Sequence, residues 1–251
     1  MGKIIAVVNQ TGGVGKTTTA VNLTASLHDL GLKVLLCDFD PQANATSGLG
    51  VEKKKLRHSV YDVIINDVPV KDAIVTTKFG DILPASADLA GAGVELLAID
   101  DPNYRPKKAL AAVKDSYDVI FIDCPPSLEM LTLNGLSAAD GILIPVQCEY
   151  FALEGLSGLM TTLRMVKKRI NPQLEIFSVI LTMFDGRTNF STQVAQEVRR
   201  HFPGKVCAAV IPRNVRLAEA PSHGIPVTAY DKNSRGAIAY RAVAEELKNK
   251  L

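Results

Sequence analysis

The stretch Gly12-Gly13-Val14-Gly15-Lys16-Thr17-Thr18 stands between a short apolar run and a helix-forming segment. It matches a variant of the P-loop pattern Gly-x-x-x-x-Gly-Lys-Ser/Thr, because Gln10 occupies the position of the first standard glycine. Glycines adopt left-handed backbone angles and put no Cβ between backbone N–H groups and a phosphate. The N-terminus of the following helix adds the positive end of its dipole. The stretch therefore predicts a site for nucleotide phosphates.

Two polar side chains of this loop carry the expected chemistry. Lys16 would neutralise the β- and γ-phosphates, and the Thr17 hydroxyl would bind Mg²⁺. The alternative is a glycine-rich turn that holds Lys-Thr by chance, which the strand before it and the helix after it disfavour. The predicted cofactors are ATP and Mg²⁺. The predicted nucleotide-binding residues of the loop are Thr11, Gly12, Gly13, Val14, Gly15, Lys16, Thr17 and Thr18.

Carboxylates follow two further apolar runs. Asp123 comes after residues 119–122 and before Cys124-Pro125-Pro126, where a Walker-B acid would hold Mg²⁺ through water. Asp38 and Asp40 follow residues 34–37, and an Asp there would orient the attacking water or contact the metal shell. An aspartate at a strand end more often serves a turn or a helix cap. Three strand-end features in one chain favour the site.

The rest of the chain alternates short apolar runs with amphipathic segments. Runs such as 119–122 are apolar on both faces, as in central parallel strands covered on both sides by helices. We therefore predict an α/β fold, a doubly wound, mostly parallel sheet with helices on both faces, as one P-loop ATPase domain over residues 1–251. The predicted strands are Lys3–Val8, Lys33–Asp38, Asp81–Pro84, Asp118–Asp123, Gly141–Val146, Ile176–Thr182 and Val206–Ile211. The predicted helices are Lys16–Leu30, Arg105–Asp115, Leu153–Ile170, Thr192–His201 and Ser234–Lys250.

Composition excludes several classes of protein. Of 251 residues, 47% are hydrophobic and 22% charged, which suits a chain that buries a core. No apolar run reaches the roughly 18 residues that span a bilayer, and the start lacks the apolar segment of a signal peptide, so we expect a cytoplasmic protein. The cysteines make no Cys-x-x-Cys pair, which disfavours a metal or iron–sulfur site. They are Cys37, Cys124, Cys148 and Cys207.

Charge is distributed unevenly along the chain. Residues 151–251 contain 15 Lys or Arg and 8 Asp or Glu, a net charge of +7. Residues 1–150 contain 13 and 18, a net charge of −5. The split hints at a polyanionic partner for the C-terminal half, and an ordinary uneven surface accounts for it equally well.

Together the motifs resemble the ParA/Soj family of chromosome- and plasmid-partitioning ATPases. The resemblance runs from about residue 3 to residue 247. The segments that carry it are Gly12–Thr18, Asp38–Gln42, Asp123–Pro126 and Ile211–Asn214, and those that resemble Soj-like chromosomal members are Cys148–Leu156 and Glu219–Gly224.

The resemblance implies an ATP-dependent switch. In this family ATP and Mg²⁺ bring two subunits together as a homodimer with nucleotide between them, the dimer binds double-stranded DNA non-specifically, and a ParB-type partner stimulates hydrolysis to ADP. By position, Lys16 and Asp40 would serve catalysis, Thr17 and Asp123 the metal, and Pro212 and Asn214 would lie near the adenine. Arg187 and Arg216 occupy positions of DNA-contacting arginines, and phosphate contact is the expected mode. Such a protein would be associated with the nucleoid.

One residue departs from the family pattern. The family's loop normally begins with a lysine that reaches the partner subunit's phosphates, and Thr11 stands there instead. A threonine is short and uncharged, so it neither reaches nor neutralises such a phosphate. Either Thr11 leaves ATP binding intact but impairs the dimer or its hydrolysis, which we favour, or another cation supplies the missing charge.

Two rival functions stay open. A MinD-like membrane-cycling ATPase would need a C-terminal amphipathic helix that is basic on one face and bulky-apolar on the other. The last residues are Ala-rich and mixed in charge, which favours the closing helix of a domain and no membrane partner. A metabolic enzyme of the same superfamily would need paired cysteines or substrate loops, and we identify neither.

Overall fold

Seven strands form one sheet in the order β3-β4-β2-β5-β1-β6-β7. The structure is a computed structural model that describes residues 2–149 and 152–251. All described neighbours pair in parallel except β3 and β4, which are antiparallel, so the predicted fold class is confirmed. The strands are β1 Lys3–Val7, β2 Val34–Asp38, β3 Val75–Thr77, β4 Gly80–Leu83, β5 Val119–Asp123, β6 Gly141–Gln147 and β7 Glu175–Thr182.

Helices connect the strands and close the chain. The α-helices are α1 Lys16–Asp29, α2 Asn44–Gly48, α3 Val60–Ile65, α4 Val70–Ala73, α5 Leu89–Glu95, α6 Arg105–Ala111, α7 Met130–Ala138, α8 Ala152–Arg169, α9 Asn189–His201, α10 Val215–Glu219, α11 Val227–Tyr230 and α12 Arg235–Lys248. Short 3-10 turns lie at Lys53–Lys55, Leu96–Ala98, Lys114–Ser116 and Ala220–His223.

Alternating side chains of the central strands enter two separate cores. In β1, Ile4 and Ala6 join the core under α7, α8 and α9, while Ile5 and Val7 join the core under α1 and α12. All four are buried, as the pattern of apolar residues on both strand faces predicts. Each fully buried aliphatic side chain of this kind contributes about 1.5–3 kcal/mol relative to exposure. The sheet is thereby fixed between two helical layers.

One predicted strand is wrong and one strand was missed. Residues 206–211 run along the outer edge of β7 but form only isolated bridges, because Ala208 and Ala209 donate their backbone N–H groups to Glu246 at 2.8 and 2.7 Å. β3 is the missed strand, and it is only three residues long. Helix Arg105–Asp115 ends early, at Ala111, before a separate 3-10 turn.

Strand order places the motif-bearing loops side by side. β1 lies between β5 and β6, and the chain moves away from β1 in both directions along the sheet. In open α/β sheets, ligands bind at such a switch point, outside the carboxyl ends of the strands. Val7 and Asp38 are both register partners of Asp123. Among the described residues, no helix is long and apolar enough to cross a membrane.

Candidate nucleotide-binding site

The glycine loop encloses an open concavity. Gly13 and Gly15 have φ angles of 76° and 89°, in the left-handed region that favours glycine. A Cβ added to Gly12 or Gly13 would meet nothing within 4 Å. The backbone angle explains Gly13, whereas Gly12 has neither a left-handed angle nor a described neighbour that would exclude a side chain, and the open space beside it suits a ligand.

Polar contacts hold the loop in place. Asn9 accepts a hydrogen bond from the Thr11 backbone N–H at 3.0 Å and donates its amide to the Pro145 carbonyl at 2.8 Å. Thr182, at the end of β7, donates its hydroxyl to the Val14 carbonyl at 2.8 Å. The sequence interpretation missed Asn9 and Thr182, although each ends an apolar run at the same edge of the sheet as the loop.

Lys16 is a buried cation beneath the loop. It is 7% exposed, and its Nζ donates to the Thr11 carbonyl at 3.0 Å. Burial lowers its pKa from the ordinary lysine value, and the negative charges of Asp123 and Asp40 oppose that shift. A lysine held in this way places a positive charge against the backbone of the loop, and Thr17 and Thr18 follow it in the first turn of α1.

Asp123 is a buried carboxylate without hydrogen-bond partners. The residue is 0% exposed, and neither of its side-chain oxygens makes a hydrogen bond with the part of the chain that the structure describes. Burial raises its pKa well above the usual aspartate value, with a further rise from the nearby Asp38 charge. The Thr17 hydroxyl lies close enough to offset part of the rise, although the geometry is not that of a normal hydrogen bond. A buried carboxylate without a protein partner indicates that a bound water or cation satisfies its charge.

Asp38 and Asp40, which the sequence analysis treated together, differ in their surroundings. Asp38 is fully buried and accepts hydrogen bonds from the Thr46 N–H and hydroxyl, both at 2.7 Å, and from the Asp40 N–H at 3.2 Å. Burial raises its pKa to about 6. Asp40 is half-buried and accepts from the Gln42 N–H at 2.9 Å. Asp38 therefore anchors α2, whereas Asp40 is the one of the two whose charge acts on Lys16.

The donor set fits a hydrated Mg²⁺ and a nucleotide polyphosphate. Thr17 offers a hydroxyl at the start of α1, Asp123 offers an uncompensated carboxylate, and the glycine concavity leaves room for phosphates. Hard oxygen ligands of this kind suit Mg²⁺, which retains several waters.

A second pocket lies beside the loop and suits a nucleobase. It measures about 360 Å³ and is lined by Pro212 and Asn214, together with Gly15, Thr18 and Met183. Met183 holds a φ of 50°, a left-handed conformation that is uncommon outside glycine and is found at ligand sites. The sequence-predicted Pro212 and Asn214 are thus brought to the phosphate loop, whereas Met183 was missed.

Comparisons with known proteins agree on one family. A family profile described as "AAA domain" matches residues 2–176. The chain is 55% identical to the sporulation initiation inhibitor protein Soj of Bacillus subtilis over 98% of both chains. It is 49% identical to the chromosome partitioning protein ParA of Caulobacter vibrioides, over 98% of this chain and 93% of that protein.

The chain belongs to the ParA/Soj family of chromosome-partitioning ATPases.

A solved structure carries the same fold with ligands bound. It is titled cobyrinic acid a,c-diamide synthase of Mycobacterium smegmatis with bound ADP and magnesium, is 40% identical, and superposes with a TM-score of 0.86 over 99% of this chain and 95% of that chain. This chain thus shares its fold with a protein that was crystallised with ADP and magnesium.

Thr11, where the ParA/Soj pattern has lysine, packs against α8. Gln10 donates its amide to the Gly155 carbonyl at 2.8 Å, and a Cβ on Gly155 would lie 2.7 Å from the Thr11 hydroxyl. Gly155 belongs to the family-like segment Cys148–Leu156, so its lack of a side chain lets α8 approach the loop. Tyr150 and Phe151 of that segment lie outside the described residues.

The two predicted DNA-contacting arginines are exposed but already paired. Arg187 makes a two-point contact with Asp185, at 2.9 and 2.7 Å, which holds the pKa of that carboxyl at about 2. Arg216 pairs with Glu219 at 2.7 Å and with Asp231 at 3.4 Å. These carboxylates already occupy part of the donor set of each arginine and offset its charge, so a phosphate would compete with them for the guanidinium.

Proposed function

We propose that this chain is an ATP-dependent switch for chromosome or plasmid partitioning. It binds MgATP, forms a homodimer with nucleotide at the interface, and binds double-stranded DNA without sequence preference. A ParB-type protein stimulates hydrolysis of ATP to ADP and phosphate, and the protein works in the cytoplasm on the nucleoid as one domain over residues 1–251.

The orphaned Asp123 carboxylate carries this proposal. A buried acid that no protein group satisfies, beneath a glycine concavity and near Lys16 and Thr17, suits a bound divalent cation. Bound Mg²⁺ supplies charge neutralisation for the phosphates. In this proposal Lys16 leaves the Thr11 carbonyl for the β- and γ-phosphates, Thr17 and Asp123 hold the metal, and Asp40 orients the attacking water.

The base and the DNA complete the proposal. Pro212 and Asn214 border the pocket next to the loop, which suits an adenine. Arg187 and Arg216 are exposed cations on neighbouring segments of the basic C-terminal half, which suits phosphate contacts.

A salt-dependent DNA mobility assay tests the switch. DNA is titrated with the protein in ATP, in ADP and without nucleotide, at about 50 and 200 mM salt. We expect binding only with ATP and a steep loss at the higher salt. Binding that ignores the nucleotide would contradict the switch, and absence of binding in all three states would direct attention to Thr11 or to the rival functions.

Thr11 has a test of its own. Its side chain is short, and the backbone of its P-loop is held by contacts within the subunit, so ATP binding should be intact while the dimer or its hydrolysis is impaired. We expect Thr11→Lys to raise ATP-dependent dimerisation or ATP turnover without changing the affinity of the monomer for ATP. Equal dimerisation and turnover in both chains would mean that another cation supplies the missing charge.

The membrane-cycling alternative is testable in parallel. The apolar face of α12 is built into the core through Tyr240, Val243 and Leu247, which disfavours a free membrane-binding face. Co-sedimentation with anionic liposomes in the presence of ATP separates the two functions, since sedimentation would restore the MinD-like alternative.

A further inference from the structure

Two adjoining grooves mark the edge of the sheet opposite the nucleotide site. The larger, about 500 Å³, lies between the C-terminal halves of α8 and α9 and the start of β7. The smaller, about 330 Å³, continues towards the start of β1 and the end of the chain. Both are lined by Glu175, Ile176 and Lys205. We call this continuous depression, from Met160 on α8 to Lys250, the basal groove.

The floor of the basal groove is apolar. α8 contributes Met160 and Leu163, β7 and the residue before it contribute Ile176 and Leu174, and Phe202 closes the far wall after α9. Leu163, Leu174 and Phe202 are buried in the core, while Met160 and Ile176 are half-buried and accessible from the groove.

The rim of the basal groove carries more basic side chains than acidic ones. Arg164, Lys167 and Lys205 are exposed, and none of their side chains has an ion pair or hydrogen bond within residues 2–149 and 152–251. Lys3 and Lys250 extend the charge along the smaller groove. The carboxylates that line the two grooves are Glu175 and Asp140, and Asp140 is already paired with Lys114 at 2.7 Å.

Helix dipoles do not account for this charge. A lysine in the last turn of a helix, such as Lys167, offsets the negative end of the dipole. Arg164 lies before the last turn of α8, and Lys3 and Lys205 lie outside helices. Their shared position around an apolar floor calls for a different explanation.

We propose that the basal groove binds an acidic segment of a partner protein that carries apolar side chains among its carboxylates. The cationic rim would attract and orient the carboxylates, and the floor would take the apolar side chains. A DNA backbone would use the cations alone and leave the apolar floor in water, so a peptide fits both features and DNA fits one. This proposal goes beyond the proposed function and does not depend on it, because the nucleotide site lies at the other edge of the sheet.

Two labelled peptides probe the groove. Both have about 16 residues, enough for a four-turn helix, and the same composition of Glu, Leu and Phe in a soluble background. One places its apolar residues at helical spacing, and the other alternates them with Glu as in a strand. Binding to the full chain is measured by fluorescence anisotropy at low salt, and a third peptide with Lys in place of Glu serves as the charge control. We expect at least one acidic peptide to bind and the Lys peptide not to bind.

Two matched double variants locate the binding. Arg164→Glu with Lys167→Glu reverses two charges on the rim and should weaken the acidic peptide by about tenfold or more. Lys54→Glu with Lys71→Glu makes the same charge change at exposed lysines between β2 and β3, and β3 lies at the other end of the strand order from β7, so the affinity should stay unchanged. Thermal unfolding checks that both variants are folded, since all four residues are exposed.

Each outcome of the peptide experiments either supports or overturns the proposal. An acidic peptide that binds, is weakened by the rim variant only, and is not displaced by a duplex of about 30 base pairs supports the proposal. The proposal is overturned if neither acidic peptide binds, if the Lys peptide binds as well, if the two double variants behave alike, or if duplex DNA displaces the peptide.

Discussion

Asp38 and Asp123 end neighbouring strands, are register partners, and are both completely buried, yet their surroundings are opposite. Asp38 accepts three hydrogen bonds from Thr46 and Asp40, whereas Asp123 accepts none. Burial raises the pKa of both, to about 6 for Asp38 and well above the usual value for Asp123. A satisfied buried acid maintains the fold, and an unsatisfied one needs a ligand. The end of β2 is therefore structural, and the end of β5 is where a cation is expected.

The largest expected effect comes from Asp38, the acid whose hydrogen bonds stabilise the fold. Asp38→Ala should lower the free energy of unfolding by about 3 kcal/mol, because the buried Thr46 N–H and hydroxyl both lose a charged acceptor. Urea unfolding of the nucleotide-free protein measures it. Thr46→Val keeps the N–H but removes a hydroxyl that donates to Asp38 and accepts from the buried Ala85 N–H at 3.0 Å, so it too should cost about 1–3 kcal/mol. A loss below about 1 kcal/mol for Asp38→Ala would mean that α2 is anchored elsewhere.

The second prediction concerns Asp123, the acid that is expected to hold a cation. Asp123→Asn should weaken the Mg²⁺ dependence of ATP binding or turnover by about 10–100-fold, the usual effect of removing an acid that holds a metal through water. The free energy of unfolding without nucleotide should not fall, since the carboxylate makes no hydrogen bond that the variant would lose. Titration of Mg²⁺ against a fluorescent ATP analogue measures the first effect, and urea unfolding the second. A destabilised protein with normal Mg²⁺ dependence would assign Asp123 to the fold.

The contrast between the two acids shows what the sequence can and cannot predict. Both follow an apolar run and precede a turn, so the pattern places them at the carboxyl edge of the sheet, and the structure confirms that position. The pattern does not distinguish them, because the apolar run and the turn that follow each other at both sites do not show that the loop after Asp38 folds back and brings Thr46 onto its carboxylate. Gly12–Thr18 and Asp123 gave local signals, whereas Thr182 and Met183 join the site through the tertiary fold, and Asn9, although next to the loop, is fixed there by the distant Pro145 carbonyl.

The same limit explains the wrong strand. Residues 206–211 have the apolar composition of a strand, but Glu246 on α12 binds two backbone N–H groups that a regular ladder would use. A competitor that lies near the end of the chain leaves no mark on the local sequence. Long central strands were predicted because both of their faces are apolar, and the three-residue β3 gave too short a pattern.

A third, smaller effect tests whether packing against α8 holds the glycine loop in place. Gly155→Ala puts a Cβ 2.7 Å from the Thr11 hydroxyl, so either the Thr11 side chain rotates away or α8 and the loop separate slightly. We expect ATP affinity to fall by about fivefold, the low end of the cost of overpacking. Gly93→Ala in α5 is the matched control, because its Cβ would meet only an ordinary contact at 3.9 Å with Met130. Equal ATP affinities in the two variants would show that the loop does not depend on α8.

The smallest expected effect concerns Arg187, a surface arginine that is paired with Asp185, and it rests on the proposed DNA binding. Arg187 is held by Asp185 in a two-point contact although 89% of its side chain is exposed. Asp185→Asn removes the competing charge, so Arg187 becomes available to a phosphate, and ATP-dependent DNA affinity should rise about two- to fivefold, as exposed ion pairs are weak. Asp115→Asn makes the same charge change at another exposed acid and should raise the affinity less. Mobility assays at one fixed salt concentration compare the two. A lower DNA affinity for Asp185→Asn would mean that the ion pair positions Arg187 for the phosphate, and identical affinities for both variants would remove Arg187 from the DNA interface.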